Sequence, residues 1–530
     1  MAFSSALVLT DLNDYIAPSQ ACIKPVEIQK TADPGHQSEI KVDDQGGYYE
    51  ITQDGGESKL EKAAISLNDC LACSGCVTSA ESVLISMQSQ EELYGIIKAN
   101  QLALEQNTPD KYRTIVVSLS PQSRASLAAH YNLSPLQIHK RLTYFFKQLG
   151  CHHLVDISFA RDLSLVESAR EFVERYKSAT AATGGSDPIV TNSATPVAGG
   201  GTTAASRRRG GAGGLKAKSQ EHLPMLASSC PGWVCYAEKT HGEVLPHISN
   251  TKSPQQMMGT LVKDYLATKV NTRPNLIYHV AIMPCYDKKL EASRPDFFMQ
   301  EFDTREVDCV LTTGEVQKMF GEQNVDFNQL LEAPLDTIFT KALLNPSETL
   351  YGSAGSSSGG QMEYIMATAA RELFGIQLPS DPSQSDQVVV RIGRNADVRE
   401  YSLETVDGQV LLKFATAYGF RNIQNIVRKI KTNKCQYHYV EVMACPGGCA
   451  NGGGQLAPPP VETVNAKDWV NHVENIYRSV DGVLPEQNEA IVAIYNEWIG
   501  DPSTERSRQL LRTQYHAVTQ NLVNPLATKW

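Results

Sequence analysis

Three cysteines lie close together at Cys70, Cys73 and Cys76, in the spacing C-x-x-C-x-x-C. Thiolates at this spacing can bind one face of a cubane 4Fe–4S cluster, which has four irons and needs a fourth ligand from elsewhere in the chain. Cys22 lies upstream and is the natural candidate for that ligand. A structural zinc site with four cysteines is the alternative, although such sites typically use two separated C-x-x-C pairs. The compact group therefore favours iron–sulfur chemistry.

A second group of cysteines is spread along the chain, but its members follow apolar runs that are typical of strands: Cys230, Cys285, Cys445 and Cys449. Because the carboxyl ends of parallel strands converge on one crevice, residues distant in sequence can meet there. The last two lie in the glycine-rich stretch CPGGCANGGGQ, whose backbone can approach a cofactor closely.

The alternative is that these cysteines are small buried apolar residues, as free cysteines often are. That interpretation suits the other cysteines, which lie in or beside apolar or amphipathic runs: Cys151, Cys235, Cys309 and Cys435. It suits Cys445 and Cys449 poorly, because a glycine-rich loop does not need such packing.

The elements that position these cysteines alternate between strand-like and helix-like patterns. Strands are predicted at 113–120, 153–160, 223–229, 276–283, 307–313, 409–417 and 437–444. Helices are predicted at 164–176 and 253–270 and from about Gln361. This alternation indicates an α/β fold with a parallel sheet.

The chain divides into three parts: an N-terminal cluster domain (1–105), an α/β domain (106–460) and a helical C-terminal segment (461–530). Within the first part, 31–61 is expected to form loops around a short hairpin. A stretch rich in Gly, Ser, Ala and Thr at about 178–220 is predicted to be a disordered insert. Its run Arg207–Arg209 is interpreted as part of a solvated linker rather than a localisation signal.

Composition limits the classes of function. The 530 residues are 42% hydrophobic and 20% charged, as in an ordinary globular protein, and the formal charge of −10 argues against nucleic acid as the main partner. No apolar run approaches the roughly 20 residues of a membrane helix. The N-terminus lacks a basic region before its apolar start, so it is interpreted as mature protein rather than a signal peptide. Twelve cysteines in such a chain favour metal ligation over disulfides.

Two further patterns are interpreted as structural. His152 and His153 are adjacent on a predicted strand, so their side chains point to opposite faces and are not expected to bind one ion. The glycines at 210–214 are not followed by GKS or GKT, which argues against a phosphate-binding loop.

Several long motifs resemble the signatures of iron-only hydrogenases. They are SSCPGW (228–233), TKSPQQMMG (251–259), MPCYDKKLE (283–291), DCVLTTGE (308–315), SSSGGQMEY (356–364) and EVMACPGGCANGGGQ (441–455). The segment 497–515 is similar to that family's small subunit. The resemblance implies an iron-only hydrogenase-like fold with two α/β lobes facing each other across a crevice, a small N-terminal Fe–S domain and a helical C-terminal segment.

The N-terminal segment 4–25, with the single C-x-x-C-x-x-C motif, resembles the eukaryotic hydrogenase-like branch. Its members are cytosolic iron–sulfur cluster assembly factors, called nuclear-architecture-related proteins in fungi. The resemblance implies two 4Fe–4S clusters, one on Cys22, Cys70, Cys73 and Cys76 and a second, buried between the lobes, on Cys230, Cys285, Cys445 and Cys449.

The same resemblance implies a non-enzymatic role in the cytoplasm, with the nucleus as a second location. The protein would link an early scaffold complex, a P-loop NTPase, to a late targeting complex that contains a WD40 protein, and neither nucleic acid nor membrane is expected as a partner. Trp530, an aromatic residue beside a terminal carboxylate, is the expected contact with the targeting complex.

One departure from the hydrogenases concerns proton transfer. Hydrogenases carry two adjacent cysteines where this chain has Ser229 and Cys230, and the first of them relays protons. A serine is a poorer relay, so no catalytic residue is assigned. Lys288 and Glu291 are retained, and in hydrogenases these positions contact or serve the di-iron site. The simpler interpretation is a surface ion pair, or an acid at a helix start for Glu291, and a basic group near a cluster can simply tune its charge. A catalytically active hydrogenase and a zinc-stabilised interaction protein remain the alternative functions.

Overall fold

The computed structural model describes residues 85–184, 222–336, 350, 352–353, 355–393, 395–459 and 464–517, and the backbone of 39–42, 48–51 and 57–59. Cys22, Cys70, Cys73, Cys76 and Trp530 therefore lie outside the described residues, as does most of the predicted insert.

The strands are, in chain order, β1 (Glu39–Val42), β2 (Tyr48–Ile51), β3 (Glu57–Lys59), β4 (Thr114–Leu119), β5 (His153–Asp156), β6 (Met225–Ala227), β7 (Ile277–Met283), β8 (Phe298–Met299), β9 (Thr304–Arg305), β10 (Cys309–Thr312), β11 (Gly352–Ser353), β12 (Val388–Ile392), β13 (Val398–Glu404), β14 (Val410–Tyr418), β15 (Tyr439–Met443) and β16 (Gly482–Val483).

The α-helices are α1 (Gln90–Glu105), α2 (Pro121–Tyr131), α3 (Pro135–Leu149), α4 (Ser158–Ala182), α5 (Pro231–Thr240), α6 (Pro254–Thr260), α7 (Ala267–Lys269), α8 (Asp287–Ala292), α9 (Thr313–Glu322), α10 (Gln361–Phe374), α11 (Phe420–Lys431), α12 (Ala466–Arg478), α13 (Glu489–Ile494) and α14 (Glu505–Leu511). π-Helical turns at Leu261–Leu266 and Tyr495–Ile499 continue α6 and α13.

The first sheet has the order β10-β7-β4-β5, and every pair in it is parallel. All seven residues of β7 are buried, because helices cover both faces of the sheet. Such a strand appears as a continuous apolar run rather than an alternating one. The parallel α/β fold predicted from the sequence is confirmed in this sheet.

The second sheet has the order β12-β13-β14-β15-β6. Its strands β14, β15 and β6 are parallel, whereas β12 and β13 add to the edge in antiparallel orientation. One core packs α5 and α11 against this sheet, and another packs α4 and α10 against it. The second sheet is therefore also covered by helices on both faces.

Two predicted boundaries on either side of α4 are wrong. The strand predicted at 153–160 ends at Asp156, whose carboxylate accepts a 2.9 Å hydrogen bond from the amide of Ser158, the first residue of α4. The apolar run continues across this junction because both elements are buried, so periodicity alone did not separate them. At the other end, α4 continues to Ala182, past the predicted start of the insert at 178, because alanine favours helix.

Two other regions, 31–61 and the C-terminal segment, contain strands that the sequence did not predict. In the 31–61 region, β1, β2 and β3 form a three-stranded antiparallel sheet, so the expected hairpin is present with one further strand. The C-terminal segment contains α12, α13 and α14, but β16 interrupts the predicted run of helices and pairs with β11. No helix in the described ranges combines the length and apolar character needed to cross a lipid bilayer.

Candidate metal centre between the two sheets

The four dispersed cysteines follow strands that belong to both sheets. Cys285 follows β7 of the first sheet, whereas Cys230 and Cys445 follow β6 and β15 of the second. Cys449 begins a short 3-10 turn after Cys445. Each cysteine thus lies at the carboxyl end of a parallel strand or in the loop that continues it, as the sequence predicted.

These four thiols are close enough to affect one another's ionisation. Burial raises the pKa of Cys445 well above its usual range, and charge on Cys230, Cys285 and Cys449 would raise that pKa further. Burial likewise raises the pKa of Cys449 to about 12. All four are free thiols, with Cys230 and Cys445 buried and the other two partly exposed. The structure therefore brings the predicted residues together, and their role as ligands stays a prediction.

Backbone N–H groups donate to one of these sulfur atoms, that of Cys230. The amide of Ala444 donates to Sγ of Cys230 at 3.4 Å, and the amide of Trp233 is a second donor that lowers the pKa of that thiol against the effect of burial. Donors of this kind stabilise a thiolate once it is formed.

Glycines allow the loops to approach one another at this centre. Gly448 has φ +84°, and a Cβ atom there would overlap the hydroxyl of Ser358. A Cβ atom at Gly454 would lie 2.7 Å from Cβ of Thr312. Side chains at these positions would push apart the segments that deliver the cysteines.

The loop 355–360 contacts the loop that carries Cys449. The hydroxyl of Ser358 accepts a 3.3 Å hydrogen bond from the amide of Cys449. Sequence reasoning matched this segment to a motif but gave Ser358 no role. The run of small residues Ser356–Gly360 was the available signal, because it permits the close approach that is observed.

A lysine and an acid provide fixed charge near the thiols. Positive charge on Lys288 lowers the pKa values of Cys230, Cys285 and Cys449 against the stronger effect of burial, while Asp287 raises the first two. Nζ of Lys288 lies 2.7 Å from Oε2 of Glu291, and the lysine is only 5% exposed. The predicted ion pair is confirmed, but its surface location is wrong, since both side chains are largely buried.

A cavity lies beside Cys230. Its lining includes Ser229, Cys235, Glu291, Arg294, Thr513 and Tyr515. The hydroxyl of Ser229 accepts a 3.3 Å hydrogen bond from Nε2 of Gln361. Cys235 lies in this wall with intermediate exposure rather than in a core, contrary to its interpretation as a buried apolar residue.

A C-terminal strap, residues 511–517, closes one side of this cavity. The amide of Thr513 donates to the carbonyl of Asn250 at 2.7 Å, and Arg294 donates to the carbonyl of Gln514 at 3.3 Å. Arg512 pairs with Glu167 and Glu174 on α4. These contacts hold the strap in place over the centre.

The chemistry of the donor set is suited to a 4Fe–4S cluster. Within the described residues, no group of three or more His, Cys, Asp or Glu side chains is arranged around one ion position. A cubane takes one thiolate on each of its four irons, so its ligands surround a volume rather than meet at a point. Four thiols from three loops, with N–H donors at Cys230 and a nearby lysine, match that requirement.

The remaining described cysteines and the two histidines have structural positions. Cys151 and Cys309 are buried in the core of the first sheet, and Cys435 packs against the core of the second. His152 and His153 have different partners, as expected: Nδ1 of His152 accepts from the amide of Ile115, whereas His153 lies near Asp336.

Two models of known protein families match the chain. One, described as "Iron only hydrogenase large subunit, C-terminal domain", covers residues 113–198 and 210–453. The other, described as "Iron hydrogenase small subunit", covers residues 470–518.

Curated relatives are similar over the whole chain. "Cytosolic Fe-S cluster assembly factor narfl" of Xenopus tropicalis is 48% identical over 530 residues, covering 100% of this chain and 99% of the relative. "Cytosolic iron-sulfur assembly component 3" of Bos taurus is 47% identical over 529 residues, with the same coverage. A probable factor of the same name as the first, from Dictyostelium discoideum, is 46% identical.

Solved structures with a similar fold are hydrogenases. An FeFe-hydrogenase studied for inactivation by oxygen has a TM-score of 0.60 and 25% identity, covering 76% of this chain and 94% of that one. The apo FeFe-hydrogenase HydA1 of Chlamydomonas reinhardtii gives a TM-score of 0.58 at 24% identity, with the same coverage. The iron-only hydrogenase fold is therefore confirmed.

Proposed function

Because the chain belongs to the family of cytosolic iron–sulfur cluster assembly factors, we propose that it binds two 4Fe–4S clusters and serves their delivery to other proteins. Cys22, Cys70, Cys73 and Cys76 hold the first cluster. Cys230, Cys285, Cys445 and Cys449 hold the second. The observation that carries the proposal is the meeting of four thiols from both sheets at one buried centre.

The chain's own residues hold and tune the second cluster. When bound, the cluster supplies positive iron centres that keep the thiolates ionised, although burial raises the pKa values of the free thiols. Backbone donors and Lys288 compensate the negative charge of the four thiolates. The glycines let the loops approach one another at the centre, and Thr513 and Tyr515 of the strap line the cavity beside Cys230.

Hydrogen turnover is not part of the proposed function. Ser229 stands where the resemblance places the proton-relaying cysteine of hydrogenases, and an alcohol is a far weaker acid than a thiol. Its hydroxyl is engaged with Gln361 in the cavity wall. The names of the full-length relatives indicate assembly factors rather than hydrogenases.

The protein works in the cytoplasm, in agreement with the names of its relatives. We place it between an early P-loop NTPase scaffold complex and a late WD40-containing targeting complex, which inserts clusters into cytosolic and nuclear proteins. Trp530 is the contact with the targeting complex, since an aromatic side chain beside a carboxylate combines apolar area with a charged anchor.

Iron and acid-labile sulfide in anaerobically purified protein test the cofactors. We expect about eight irons and eight sulfides per chain, because each cubane has four of each. Zinc without sulfide would favour the zinc-stabilised alternative. Steady hydrogen evolution with reduced viologen would favour an active hydrogenase and overturn the assignment of no catalytic residue.

Depletion of the protein in cells tests the role. The activity of a cytosolic iron–sulfur enzyme should fall while that of a mitochondrial one is kept. The wild-type chain should restore the activity, and a Cys449→Ser chain should not. Normal cytosolic enzyme activity in depleted cells would contradict the proposed function.

A further inference from the structure

Two carboxylates, Glu441 and Glu363, lie next to the loop 355–360 that contacts Cys449. Glu441 lies on β15, and its carboxylate accepts hydrogen bonds from the hydroxyl of Tyr418 at 2.5 Å and from the amide of Met362 at 2.9 Å. Glu363 lies in the first turn of α10. The two side chains are near enough that negative charge on Glu441 disfavours ionisation of Glu363.

Positive charge near this pair is limited. The closest cation is Arg161, whose guanidinium also donates to the backbone carbonyls of Gly359 at 2.9 Å and Ser356 at 3.1 Å. Arg478 on α12 also contributes positive charge, and it is paired with Glu474. Asp162 and Glu474 interact with Arg161 as well, and three tyrosines face the carboxylates: Tyr401, Tyr418 and Tyr439. The positive charge of Arg161 is thus shared among more than two carboxylates.

The surroundings of Glu363 favour the protonated, uncharged form of its carboxyl group. Burial, followed by the charge of Glu441, raises the pKa of Glu363 to about 7. Arg161 opposes this shift without overcoming it. Glu363 therefore holds a proton more readily than an ordinary glutamate does.

The pair is connected to the candidate metal centre on one side and to solvent on the other. Negative charge on Glu441 raises the pKa of Cys449, and the ring of Tyr418 packs against Gly448. Glu363 itself lines a second cavity with Leu165, Tyr364, Ser380 and Leu484. A proton can therefore reach Glu363 from solvent through this cavity without passing the cysteines.

From this geometry we propose that Glu363 takes up one proton when the cluster held by Cys230, Cys285, Cys445 and Cys449 accepts one electron. The inference rests on the proposed function. An external one-electron donor supplies the electron, water supplies the proton, and one O–H bond forms on the Glu363 carboxylate. Oxidation of the cluster returns the proton to water. The summed charge of the cluster and Glu363 is therefore the same in both redox states.

A redox titration followed by electron paramagnetic resonance tests the coupling. It uses the full chain carrying Cys73→Ser, so that the paramagnetic signal comes from the second cluster only. Reduction adds negative charge and raises the affinity of Glu363 for a proton. The midpoint potential of the chain with Glu363 intact should therefore fall as pH rises from 6 to 8.5, by up to about 59 mV for each tenfold fall in proton concentration.

Substitutions of Glu363 identify the group. Glu363→Gln should remove the pH dependence and, at pH 8.5, give a higher potential than the intact chain, since glutamine resembles the protonated acid. Glu363→Asp should retain a pH-dependent potential because it keeps a carboxylate. An unchanged slope in Glu363→Gln, with normal iron and sulfide, would overturn the inference and leave the proposed function standing.

Tyr418→Phe provides a second variant if Glu363→Gln does not assemble the cluster. Loss of the Tyr418 hydroxyl should raise the pKa of Glu441, because that hydrogen bond stabilises its carboxylate. The two carboxylates together then bind a proton at higher pH, so the pH range over which the midpoint potential changes should move upward. A range that does not move would count against the inference. Absence of iron and sulfide from the second site in the wild-type chain would instead overturn the proposed function, and this inference with it.

Discussion

The hydroxyl of Tyr515 donates a 2.8 Å hydrogen bond to the backbone carbonyl of Ser249 and ties the C-terminal strap to the wall of the cavity beside Cys230. The guanidinium of Arg294 lies 5.8 Å from the centre of the tyrosine ring on another side. The last described segment of the chain is thus packed against the candidate metal centre.

Tyr515→Ala should open the cavity beside Cys230 to solvent, because Tyr515 forms part of its wall. We expect a chelator to remove iron from the second site several-fold faster than in the wild type, measured by the loss of cluster absorbance in a Cys73→Ser background. Tyr515→Phe is the matched control, since it keeps the ring and loses one hydrogen bond, and it should have a smaller effect. Equal rates in Tyr515→Ala and its parent would mean that the strap does not shield the site.

Gly448→Ala should impair assembly of the second cluster. The backbone there has φ +84° and ψ −163°, a region that essentially only glycine adopts and that costs another residue about 1–3 kcal/mol. The new methyl group would also overlap Ser358. Gly453→Ala is the control, because a Cβ atom at that position meets nothing within 4 Å. Iron analysis should show a deficit only in the first variant, and a similar deficit in both would refute this explanation.

Cys449→Ser should lose about half of the iron, because one of two cubanes fails to assemble. Cys73→Ser should lose the other half, and the double variant should contain almost none. Cys435→Ser should keep full iron content, since the charged groups that act on the Cys435 thiol are Lys413 and Lys429 and none of the four cysteines. Wild-type iron in Cys449→Ser would exclude that residue as a ligand.

Glu171 should stabilise the fold in a pH-dependent way. Burial acts to raise its pKa, but Arg175, Arg512 and hydrogen bonds from Ser249 and Asn250 lower it below the usual 4.5. Since the folded pKa is depressed, the stabilisation is fully present above about pH 4.5 and is lost as pH falls through the folded value. Glu171→Gln should therefore lower the free energy of unfolding by about 3 kcal/mol or more at pH 7.

Denaturant unfolding at several pH values measures this difference. The gap between wild type and Glu171→Gln should be constant from pH 6 to 8 and shrink below about pH 4.5. Glu505→Gln is a suitable control, because Glu505 is an exposed residue at the start of α14. A gap that grows on acidification would have the wrong sign for a depressed pKa.

Trp530→Ala should weaken binding to the WD40-containing targeting complex. Buried aromatic contacts at interfaces contribute roughly 2 kcal/mol or more, which corresponds to about 30-fold in affinity. Lys529→Ala should change affinity little, since charges at the rim of an interface contribute less. Pull-down and titration with the purified complex distinguish the two, and equal binding by Trp530→Ala and wild type would remove Trp530 as the contact.

The dispersed cysteines could be predicted to meet because strand order constrains them strongly. The runs before Cys230, Cys285 and Cys445 are apolar and continuous, and parallel strands present their carboxyl ends on one side. The position of Glu363 against Glu441 could not be predicted, since it depends on how α10 packs on the second sheet. The strap was also beyond sequence reasoning, because Thr513 and Tyr515 are held by loop carbonyls whose positions leave no periodic signal.

The candidate centre draws Cys285 from one sheet and Cys230, Cys445 and Cys449 from the other. A cofactor bound by all four would act as a cross-link between the two halves, in addition to hydrogen bonds such as the one from the amide of Gly454 to the carbonyl of Pro284 at 2.9 Å. Since metal-binding free energy adds to folding free energy when the unfolded chain lacks the site, the holo-protein should melt in a single calorimetric transition, whereas the apo-protein can lose one half before the other.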